Sequence, residues 1–410
     1  MFLSPEEKLL ALRKKYKITQ GELVGEDITR VFLGMIEIGK RSLTEKTAKL
    51  LCKNFHKILQ EKGIEDKISL TDLMKTKEEQ AIEFLNNMLL SEINISNENL
   101  WIIEEALYEL QPKEREEFCE KLYIRFKNRK RYSLSRSYLL KSFHGLRKIK
   151  GLKEKLLDMF FLCEKLQDPQ GAVYIYRKFS SGLEKEKLNK EIEELKYCYA
   201  KALIDSKEYE EGMNLAKYLF KKTKNEDTIY KVRKLIARIY REEGNIEESI
   251  KEYTSLAKGK TPKEKCLAYR EIIQIGIEEK NPDIIKKYYE KSKNNFSDDF
   301  QNDIEMLDIL CTLAQGAKIL GKSKEAKAYY MEALVIGKNL DNMENKRVNI
   351  IGELLEVIDK SDFYSVQSIE KEYLELLKVT HNYQPAIKFL EYYERFLPNE
   401  LKNKFELFIK

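Results

Sequence analysis

The chain has 410 residues, of which 75 are Lys or Arg and 69 are Asp or Glu, giving a formal net charge of +6. This length exceeds what one small core supports, so two or more folding units are expected. Abundant Lys, Glu, Leu and Ile with only 7 Pro and 17 Gly are typical of a helical protein. Residues 1–15 are too charged for a signal peptide, and no apolar run reaches the roughly 18 residues of a membrane helix. We therefore expect a cytoplasmic protein without a membrane partner.

The cysteines and histidines give no sign of a metal or redox site. The cysteines are scattered singly, without a CxxC pair, and the three histidines lie far apart from one another. We expect no metal and no cofactor, and because no nucleophile–base pair is recognisable, we do not expect an enzyme. The residues concerned are Cys52, Cys119, Cys163, Cys198, Cys266 and Cys311, with His56, His144 and His381.

Positive charge is concentrated at the N-terminus. Residues 1–62 contain 13 Lys or Arg and 8 Asp or Glu, so they carry +5 of the total of +6, and the remainder of the chain carries +1. A surplus of this kind favours contact with phosphates, and we expect the N-terminal segment to be the one that seeks them.

Helix-start signals divide the first 62 residues into four helices. Ser4, followed by Pro5 and Glu7, has the spacing of a capping box and begins the first helix. Thr19 caps a short second helix over residues 20–24, and a turn follows at residues 25–27. Thr29 caps a third helix that Gly39 stops, and Thr44 caps a fourth.

The segments LRKKYKITQGEL, ITRVFLGMIEIGKR and LTEKTAKLL resemble the Xre-type helix-turn-helix of bacterial and phage repressors. The resemblance implies that the third helix enters the DNA major groove, where Arg30 is the residue best suited to reading a guanine. It places Gln20 and Thr29 at the backbone or a base edge, and Lys40 and Arg41 at phosphates. The implied DNA-contacting set is Gln20, Thr29, Arg30, Val31, Gly34, Met35, Lys40 and Arg41.

Two further features follow from this resemblance. Arg13 and Glu37 match a pair that bridges the first and third helices of such repressors. The turn between Val24 and Arg30 is one residue shorter than in the commonest pattern, and Asp27 replaces the usual Gly, which leaves the base-facing register open by one position. The alternative for the whole segment is a helical bundle that does not bind DNA.

Residues 63–71 are poor in apolar side chains and are predicted to be a linker. The rest of the chain shows helical periodicity, and a repeat is readable in its second half. Residues 237–262 and 314–334 follow the tetratricopeptide order of small, aromatic, small and aromatic residues over a period of ~34. Bends are predicted near residues 207, 244, 280, 321 and 360. Residues 72–187 are also expected to form degenerate helical repeats, without a readable register.

One competing motif lies inside this repeat. Residues 316–323, GAKILGKS, satisfy the phosphate-loop spacing GxxxxGK[ST]. A phosphate loop needs a preceding strand, whereas these residues are helix formers and Gly321 falls on a predicted bend. We therefore interpret the match as coincidental.

In tetratricopeptide arrays the first helix of each hairpin lines the concave face, and this resemblance implies a groove with basic, amide and aromatic side chains. Such a groove suits an extended peptide, because amides bind its backbone and cations bind carboxylates. A solvated helix face is the alternative. The implied peptide-binding residues are Tyr197, Lys201, Lys234, Arg238, Arg241, Arg270, Gln274 and Gln315.

The combination of head and array resembles the RRNPP family of peptide-responsive quorum-sensing regulators. The fold class expected is all-α, with an Xre-type helix-turn-helix domain over 1–62, the linker over 63–71 and a tetratricopeptide-like α-solenoid over 72–410. The resemblance implies a homodimer that binds double-stranded operator DNA and is switched by a short signalling oligopeptide. The alternative is a repressor whose array binds a partner protein.

Overall fold

The computed structural model describes residues 2–26, 28–90, 97–143, 149–183, 187–258, 261–297, 300–301, 303–359 and 362–409. This described part of the chain is all-α, with 23 α-helices and no strand, so the expected fold class is confirmed. Contacts along the chain separate two compact units, a first unit Met1–Glu186 and a second unit Lys187–Lys410. Among the described helices, none is both long and apolar enough to cross a membrane.

The first unit begins with a bundle of four helices, which we call the head: α1 (Pro5–Lys15), α2 (Gln20–Val24), α3 (Arg30–Glu37) and α4 (Glu45–Glu61). The head is followed by α5 (Leu70–Met74), α6 (Lys77–Leu90), α7 (Asn97–Glu109), α8 (Pro112–Asn128), α9 (Tyr132–Lys141), α10 (Ile149–Lys165), α11 (Pro169–Phe179) and a 3₁₀ turn (Ser180–Gly182).

The helix starts of the head are those that the capping residues predict. The side chains of Ser4, Thr19, Thr29 and Thr44 each accept a hydrogen bond from the backbone N–H three residues on, which satisfies a donor that the helix leaves open. The apolar faces of the four helices then meet in one core. Its fully buried members include Leu9, Leu23, Leu33, Ile36, Leu51 and Phe55.

The residues after the head pack against it. Ile68 and Leu73 are buried in the core of the head, and the Gln80 amide on α6 donates to the Leu3 carbonyl at 2.7 Å. The Lys8 ammonium donates to the carbonyl of Lys75, also at 2.7 Å. The segment 63–71 therefore contains side chains that anchor it to the head, and the boundary between the two domains at 62–72 stays a prediction.

The second unit is a row of helical hairpins. Its helices are α12 (Lys190–Asp205), α13 (Tyr209–Lys222), α14 (Glu226–Glu242), α15 (Ile246–Leu256), α16 (Pro262–Glu278), α17 (Pro282–Lys293), α18 (Ile304–Ile319), α19 (Ser323–Lys338), α20 (Glu344–Val357), α21 (Phe363–Thr380), α22 (Gln384–Phe396) and α23 (Pro398–Ile409).

Four of the predicted bends are confirmed by a residue in the left-handed backbone region between paired helices: Lys207, Gly244, Lys280 and Gly321, at φ of 65°, 77°, 52° and 73°. The bend near 360 lies outside the described residues. In the first unit Lys130 and Gln167 follow α8 and α10 in the same conformation, at φ of 58° and 54°. Residues 112–179 therefore form helical hairpins with the same type of bend as the second unit.

Within each hairpin, small residues let the two helices approach. The Ser249 hydroxyl is buried and donates to the Ala237 carbonyl of the preceding helix at 2.8 Å. At Gly276 a Cβ atom would lie only 2.9 Å from Ile285 Cγ1 and 3.2 Å from the Ile285 nitrogen. The approach of α16 to α17 therefore requires glycine at this position.

Packing between hairpins shows that the first helix of each hairpin belongs to the inner layer of the second unit. Neighbouring first helices pack against each other in the pairs α12–α14, α16–α18 and α20–α22. Within the described residues no two consecutive second helices pack as closely. The array is thus a tetratricopeptide-like α-solenoid whose first helices form the inner layer.

The residues that match the phosphate-loop motif belong to two helices of this array and the bend between them. Residues 316–319 form the last turn of α18, Gly321 is at the bend and Ser323 begins α19. No described strand precedes them, so the residues do not form the loop that the motif requires.

Two helical glycines give a test of the hairpin packing. We expect Gly276→Ala to lower the free energy of unfolding by about 1–3 kcal/mol, because the new Cβ overpacks against backbone and side chain of α17. The control is Gly352→Ala, whose Cβ would lie 3.8 Å from the nearest atom, in ordinary contact. That control should be neutral or stabilising by up to about 1 kcal/mol. Thermal unfolding of both variants checks this, and equal effects would contradict the packing argument.

Candidate functional site

Helix α3 presents one face to the core and one face to solvent. Leu33 and Ile36 are fully buried, whereas Arg30, Val31, Met35 and Ile38 are exposed, with Val31 at 69% and Ile38 at 65%. Val31, Met35 and Ile38 have the spacing of one helical stripe. The outer face is therefore a row of exposed apolar side chains that begins beside an arginine.

The remaining residues of the predicted DNA-contacting set surround this face. Gly34 is half-buried, and a Cβ atom there would lie 3.6 Å from the Gln20 amide nitrogen. Lys40 and Arg41 are exposed directly beyond the C-terminal end of α3. Within the described part of the chain, the side chains of Arg30, Lys40 and Arg41 have no hydrogen bond or ion pair. Ile38 belongs to this surface and was missed, although its spacing from Val31 and Met35 could have identified it.

A buried carboxylate fixes the orientation of α3. Glu37, whose side chain is 3% exposed, accepts two hydrogen bonds from the Arg13 guanidinium, at 2.5 and 2.8 Å. It accepts a third from the Gln20 amide at 2.7 Å. The predicted Arg13–Glu37 pair is confirmed, and Gln20 extends it, so that one carboxylate joins α1, α2 and α3.

The pKa of the Glu37 carboxyl shows which effect dominates there. Burial by itself raises the pKa, but the hydrogen bonds from Arg13 and Gln20 outweigh it and hold the pKa below its ordinary value. The carboxylate is therefore the stable form in the folded head.

A side chain of α4 stabilises the turn between α2 and α3. The Asn54 amide donates to the Leu23 carbonyl at 2.9 Å, which satisfies an acceptor at the C-terminal end of α2. Thr29 is exposed, and its hydroxyl accepts from the Phe32 N–H at 3.2 Å. The substitution of Asp27 for glycine lies outside the described residues. The role of Asn54 was missed, because it is a contact between residues 31 positions apart.

The predicted peptide-binding residues lie on successive first helices, but the surface they form is not basic. The salt bridge from Arg238 to Asp205 is 2.6 Å long, and Arg241 donates to Glu278 at 2.9 Å. Each partner lies on a neighbouring first helix. The expectation of a basic groove is thus wrong, since the repeat brings an acidic residue from the preceding or the next hairpin beside these cations.

The same pairing continues deeper in the layer. Arg270 contacts Glu271 at 2.5 Å and Asp308 of α18 at 3.1 Å, and Lys234 lies 3.5 Å from Glu271. Burial raises the pKa of the Glu271 carboxyl, but the charge of Arg270 outweighs this and the pKa is lowered. Both members of this half-buried pair are therefore charged.

Two cavities open along the inner layer of the second unit. One, of about 460 Å³, is lined by Lys234 and Arg270 together with acidic Glu264, Glu305 and Asp308. The other, of about 480 Å³, lies between α18, α20 and α22. Of the predicted residues, Lys234 and Arg270 line the first cavity and Gln315 lines the second. Tyr197, Lys201, Arg238, Arg241 and Gln274 line neither.

Amide side chains distinguish the second cavity. Gln315 of α18, Asn349 of α20 and Gln384 of α22 line it, and none of these amides has a side-chain hydrogen bond within the described residues. The sequence analysis found Gln315 but missed the other two. Their spacing of 34 and 35 residues matches the repeat and could have revealed them.

Charged groups at this cavity are already satisfied by the protein. Lys346 pairs with Asp308, while Lys388 pairs with Glu356 and also donates to the Gly352 carbonyl at 2.8 Å. Burial raises the pKa of the Cys311 thiol to about 12, so the thiol lining the cavity stays neutral. The groups left available for a ligand are the neutral amides.

Comparison with known proteins gives distant structural likenesses. No family model matches the chain, and no curated protein matches it. The apo quorum sensor NprR from B. thuringiensis is 15% identical, with 97% of this chain and 99% of that chain covered and a TM-score of 0.43. NprR in complex with its cognate peptide NprX is 17% identical, with 81% and 98% covered and a TM-score of 0.40.

A third likeness is to Bacillus thuringiensis PlcR in complex with the peptide PapR7 and DNA. It is 12% identical, 99% of each chain is covered, and the TM-score is 0.24. Likenesses at this level leave the function to be argued from the chain's own residues.

The carboxylate network gives a stability prediction with a defined pH dependence. Arg13→Ala should destabilise the head by about 3 kcal/mol at neutral pH, because the Glu37 carboxylate loses its charged partner while buried. The pKa of Glu37 is lowered in the folded head, so its contribution is present above its ordinary pKa and is lost as the pH falls through the folded pKa. The difference between wild type and variant should therefore shrink in acid.

Thermal unfolding as a function of pH checks this. Lys49→Ala is the control, because it breaks an exposed pair with Glu45, at 2.6 Å, and should change the stability little at any pH. A loss for Arg13→Ala that is independent of pH would count against the role given to the carboxylate.

Proposed function

We propose that the chain is a transcription regulator that reads operator DNA with α3 of the head and binds a short peptide in the inner layer of its repeat array. The observation that carries the proposal is the outer face of α3, where Arg30 and an apolar stripe are exposed and the cations are unpaired within the described residues. The array adds a cavity lined by three amides on successive first helices, whose side chains have no protein hydrogen bond within the described residues.

For the head, the chemistry of each residue matches one part of a duplex. Arg30 is the first residue of α3, and the N-terminal residues of a recognition helix contact base edges. Its guanidinium fits the O6 and N7 acceptors of guanine, while Val31 and Met35 fit thymine methyl groups. Lys40 and Arg41 bind phosphates that set the position of the head.

Glu37 supports this role without touching DNA. By holding α1, α2 and α3 together, it keeps the outer face of α3 in one orientation, and Gln20 lies beside that face. Gln20 is therefore both a positioning residue for α3 and a candidate for a DNA contact.

For the array, the neutral amides indicate a ligand recognised through its backbone. Gln315, Asn349 and Gln384 each offer a donor and an acceptor, and an extended peptide presents both at regular intervals. A cavity of about 480 Å³ accommodates part of such a peptide. The paired cations nearby bind acidic side chains only if their present partners are displaced.

The regulator acts in the cytoplasm as a homodimer in this proposal, with two heads on half-sites about one helical turn, ~34 Å, apart. Peptide binding between first helices changes the curvature of the array and thereby the spacing of the heads. This is the logic of the RRNPP quorum-sensing regulators that the sequence resembles. A partner protein in the same groove is the alternative.

DNA reading is tested with duplexes selected from a random library by the full-length protein. Arg30→Ala should weaken binding to the selected duplex by about 1–3 kcal/mol and relax the base preference. Lys40→Ala should weaken binding to all duplexes alike and reduce the slope of log K against log salt by about one, because one phosphate contact is lost. Anisotropy titrations measure both, with Lys224→Ala, an exposed lysine of the second unit, as control. Unchanged affinity for Arg30→Ala would overturn the assignment of α3.

Peptide binding is tested by screening a synthetic peptide library for thermal stabilisation of the full-length protein. For any peptide found, Gln315→Ala, Asn349→Ala and Gln384→Ala should each weaken binding by about 0.5–1.5 kcal/mol, the net contribution of a hydrogen bond. Asn214→Ala is the matched control, because Asn214 is an exposed amide on α13. If the amide variants bind the peptide as tightly as the wild type, the peptide does not bind in this cavity. If no peptide stabilises the protein but a partner protein does, the result favours the alternative of a protein-binding array.

A further inference from the structure

A second concentration of positive charge lies far from the head in sequence. Residues 121–143 contain eight Lys or Arg and no Asp or Glu. The near-neutral total of the chain after residue 62 conceals this stretch, because residues 63–120 contain 15 acidic and only 5 basic residues. The eight cations are Lys121, Arg125, Lys127, Arg129, Lys130, Arg131, Arg136 and Lys141.

The fold gathers these cations at the end of α8, the following bend and α9. The bend contains three consecutive cations, Arg129, Lys130 and Arg131, and Lys130 has a left-handed backbone. Lys121 and Lys130 are exposed. Within the described residues the Lys130 side chain has no hydrogen bond or ion pair, and the Lys121 ammonium lies 4.8 Å from the centre of the Phe118 ring. We call residues 121–131 the basic bend.

Helix α10 extends the basic bend. The ring of Phe161 is exposed, and the ammonium groups of Lys127 and Lys165 lie 5.4 and 5.6 Å from its centre. Lys127 also pairs with Asp158. Lys165 therefore adds a further cation beside the end of α8.

Stability of α8 does not account for this many cations. Positive side chains near a helix C-terminus interact favourably with the helix dipole, but the effect is confined to the last turn. In the second unit, by contrast, cations of the inner layer have acidic partners on neighbouring helices. In the basic stretch, Lys127, Arg136 and Lys141 also pair with acidic residues, which are Asp158, Asp168 and Glu104. Lys121 and Lys130 differ from them, because neither side chain has an acidic partner among the described residues.

The head and the basic bend belong to the same compact unit, and the head is fastened to the helices that lead to the bend. Gln80 donates to the Leu3 carbonyl, Lys77 pairs with Glu7 at 3.0 Å, and the rings of Phe2 and Phe84 are 6.0 Å apart. Helix α6 in turn packs against α8. The basic bend is therefore joined to the head through α6 and α8 within one compact unit.

We propose that the basic bend binds the phosphates of duplex DNA outside the stretch that the head reads. This inference rests on the proposed function, because it assumes that the head holds a duplex. The contact is electrostatic and independent of sequence, so it increases affinity and salt dependence without changing base preference.

The experiment compares two labelled duplexes of mixed sequence with the full-length protein: a short one of about 12 bp, one turn with flanks, and a long one of about 60 bp. The variant Lys121→Glu with Lys130→Glu should weaken binding to the long duplex about tenfold and reduce the slope of log K against log salt by about two. Binding to the short duplex should not change. The control, Lys224→Glu with Lys338→Glu, reverses two exposed lysines of the second unit and should leave both duplexes unaffected.

A second variant protects the test against misfolding. Lys121→Gln with Lys130→Asn removes the charges and places at the bend a residue that accepts the left-handed backbone. It should show the same change in slope, in the same direction. Thermal unfolding verifies that both variants fold.

Several results would overturn the proposal. Equal weakening by the control pair would show a general charge effect, and loss on the short duplex would place the lysines within the head's own footprint. Loss on a 60-nucleotide single strand but not on the duplex would identify a single-strand surface instead. A change in self-association by sedimentation velocity, with DNA binding intact, would assign the bend to the acidic residues 63–120 of a second copy.

These outcomes are separable from failure of the proposed function. If Arg30→Ala leaves base preference unchanged while the bend variants still weaken long-duplex binding, the basic bend stands as a phosphate surface and the reading role of α3 fails. If Arg30→Ala acts as expected and the bend variants do nothing, the reading role stands and the basic bend fails.

Discussion

The register between successive first helices is the constraint on which the second unit depends. Because the bends at Lys207, Gly244, Lys280 and Gly321 recur every 36–41 residues, a side chain on one first helix faces a side chain about one period away. The pairs Arg241–Glu278 and Arg270–Asp308, 37 and 38 residues apart, are consequences of that register. The amides of Gln315, Asn349 and Gln384 fall in the same register. One geometric rule thus places both the groups that neutralise the inner layer and the groups left for a ligand.

The head depends on a different kind of constraint, a single buried carboxylate. Glu37 remains charged because Arg13 and Gln20 supply hydrogen bonds that offset its desolvation. Those donors come from α1 and α2, so the carboxylate is satisfied only when three helices are in one arrangement. An apolar residue would fill the same space without demanding that arrangement. The contact of Glu37 with Arg13 and Gln20 in the interior therefore fixes the orientation of the exposed face of α3.

The local features of the fold could be predicted from the sequence, whereas most contacts between distant residues could not. The start of α2 at Gln20 and of α3 at Arg30 follow from Thr19 and Thr29, because a cap acts within one turn. The bends at Lys130 and Gln167 were missed, because no repeat register was readable in residues 72–187. The groove was expected to be basic because its acidic partners lie on other helices. Asn349 and Gln384 were missed because the groove positions were counted only as far as the bend at Gly321, and not from the predicted bend near 360 or beyond it.

Charged side chains are paired in the inner layer of the array but include unpaired cations at α3 and at the basic bend, so the two regions suit different kinds of ligand. Where the inner layer neutralises its own cations, a ligand gains little from charge and must be recognised by shape and by neutral hydrogen bonds, which salt screens weakly. Where cations remain exposed, on the rim of α3 and at the basic bend, the fitting partner is a polyanion whose binding salt weakens strongly. Under the proposed function, peptide binding in the inner layer should therefore depend little on ionic strength, whereas DNA binding should depend on it strongly.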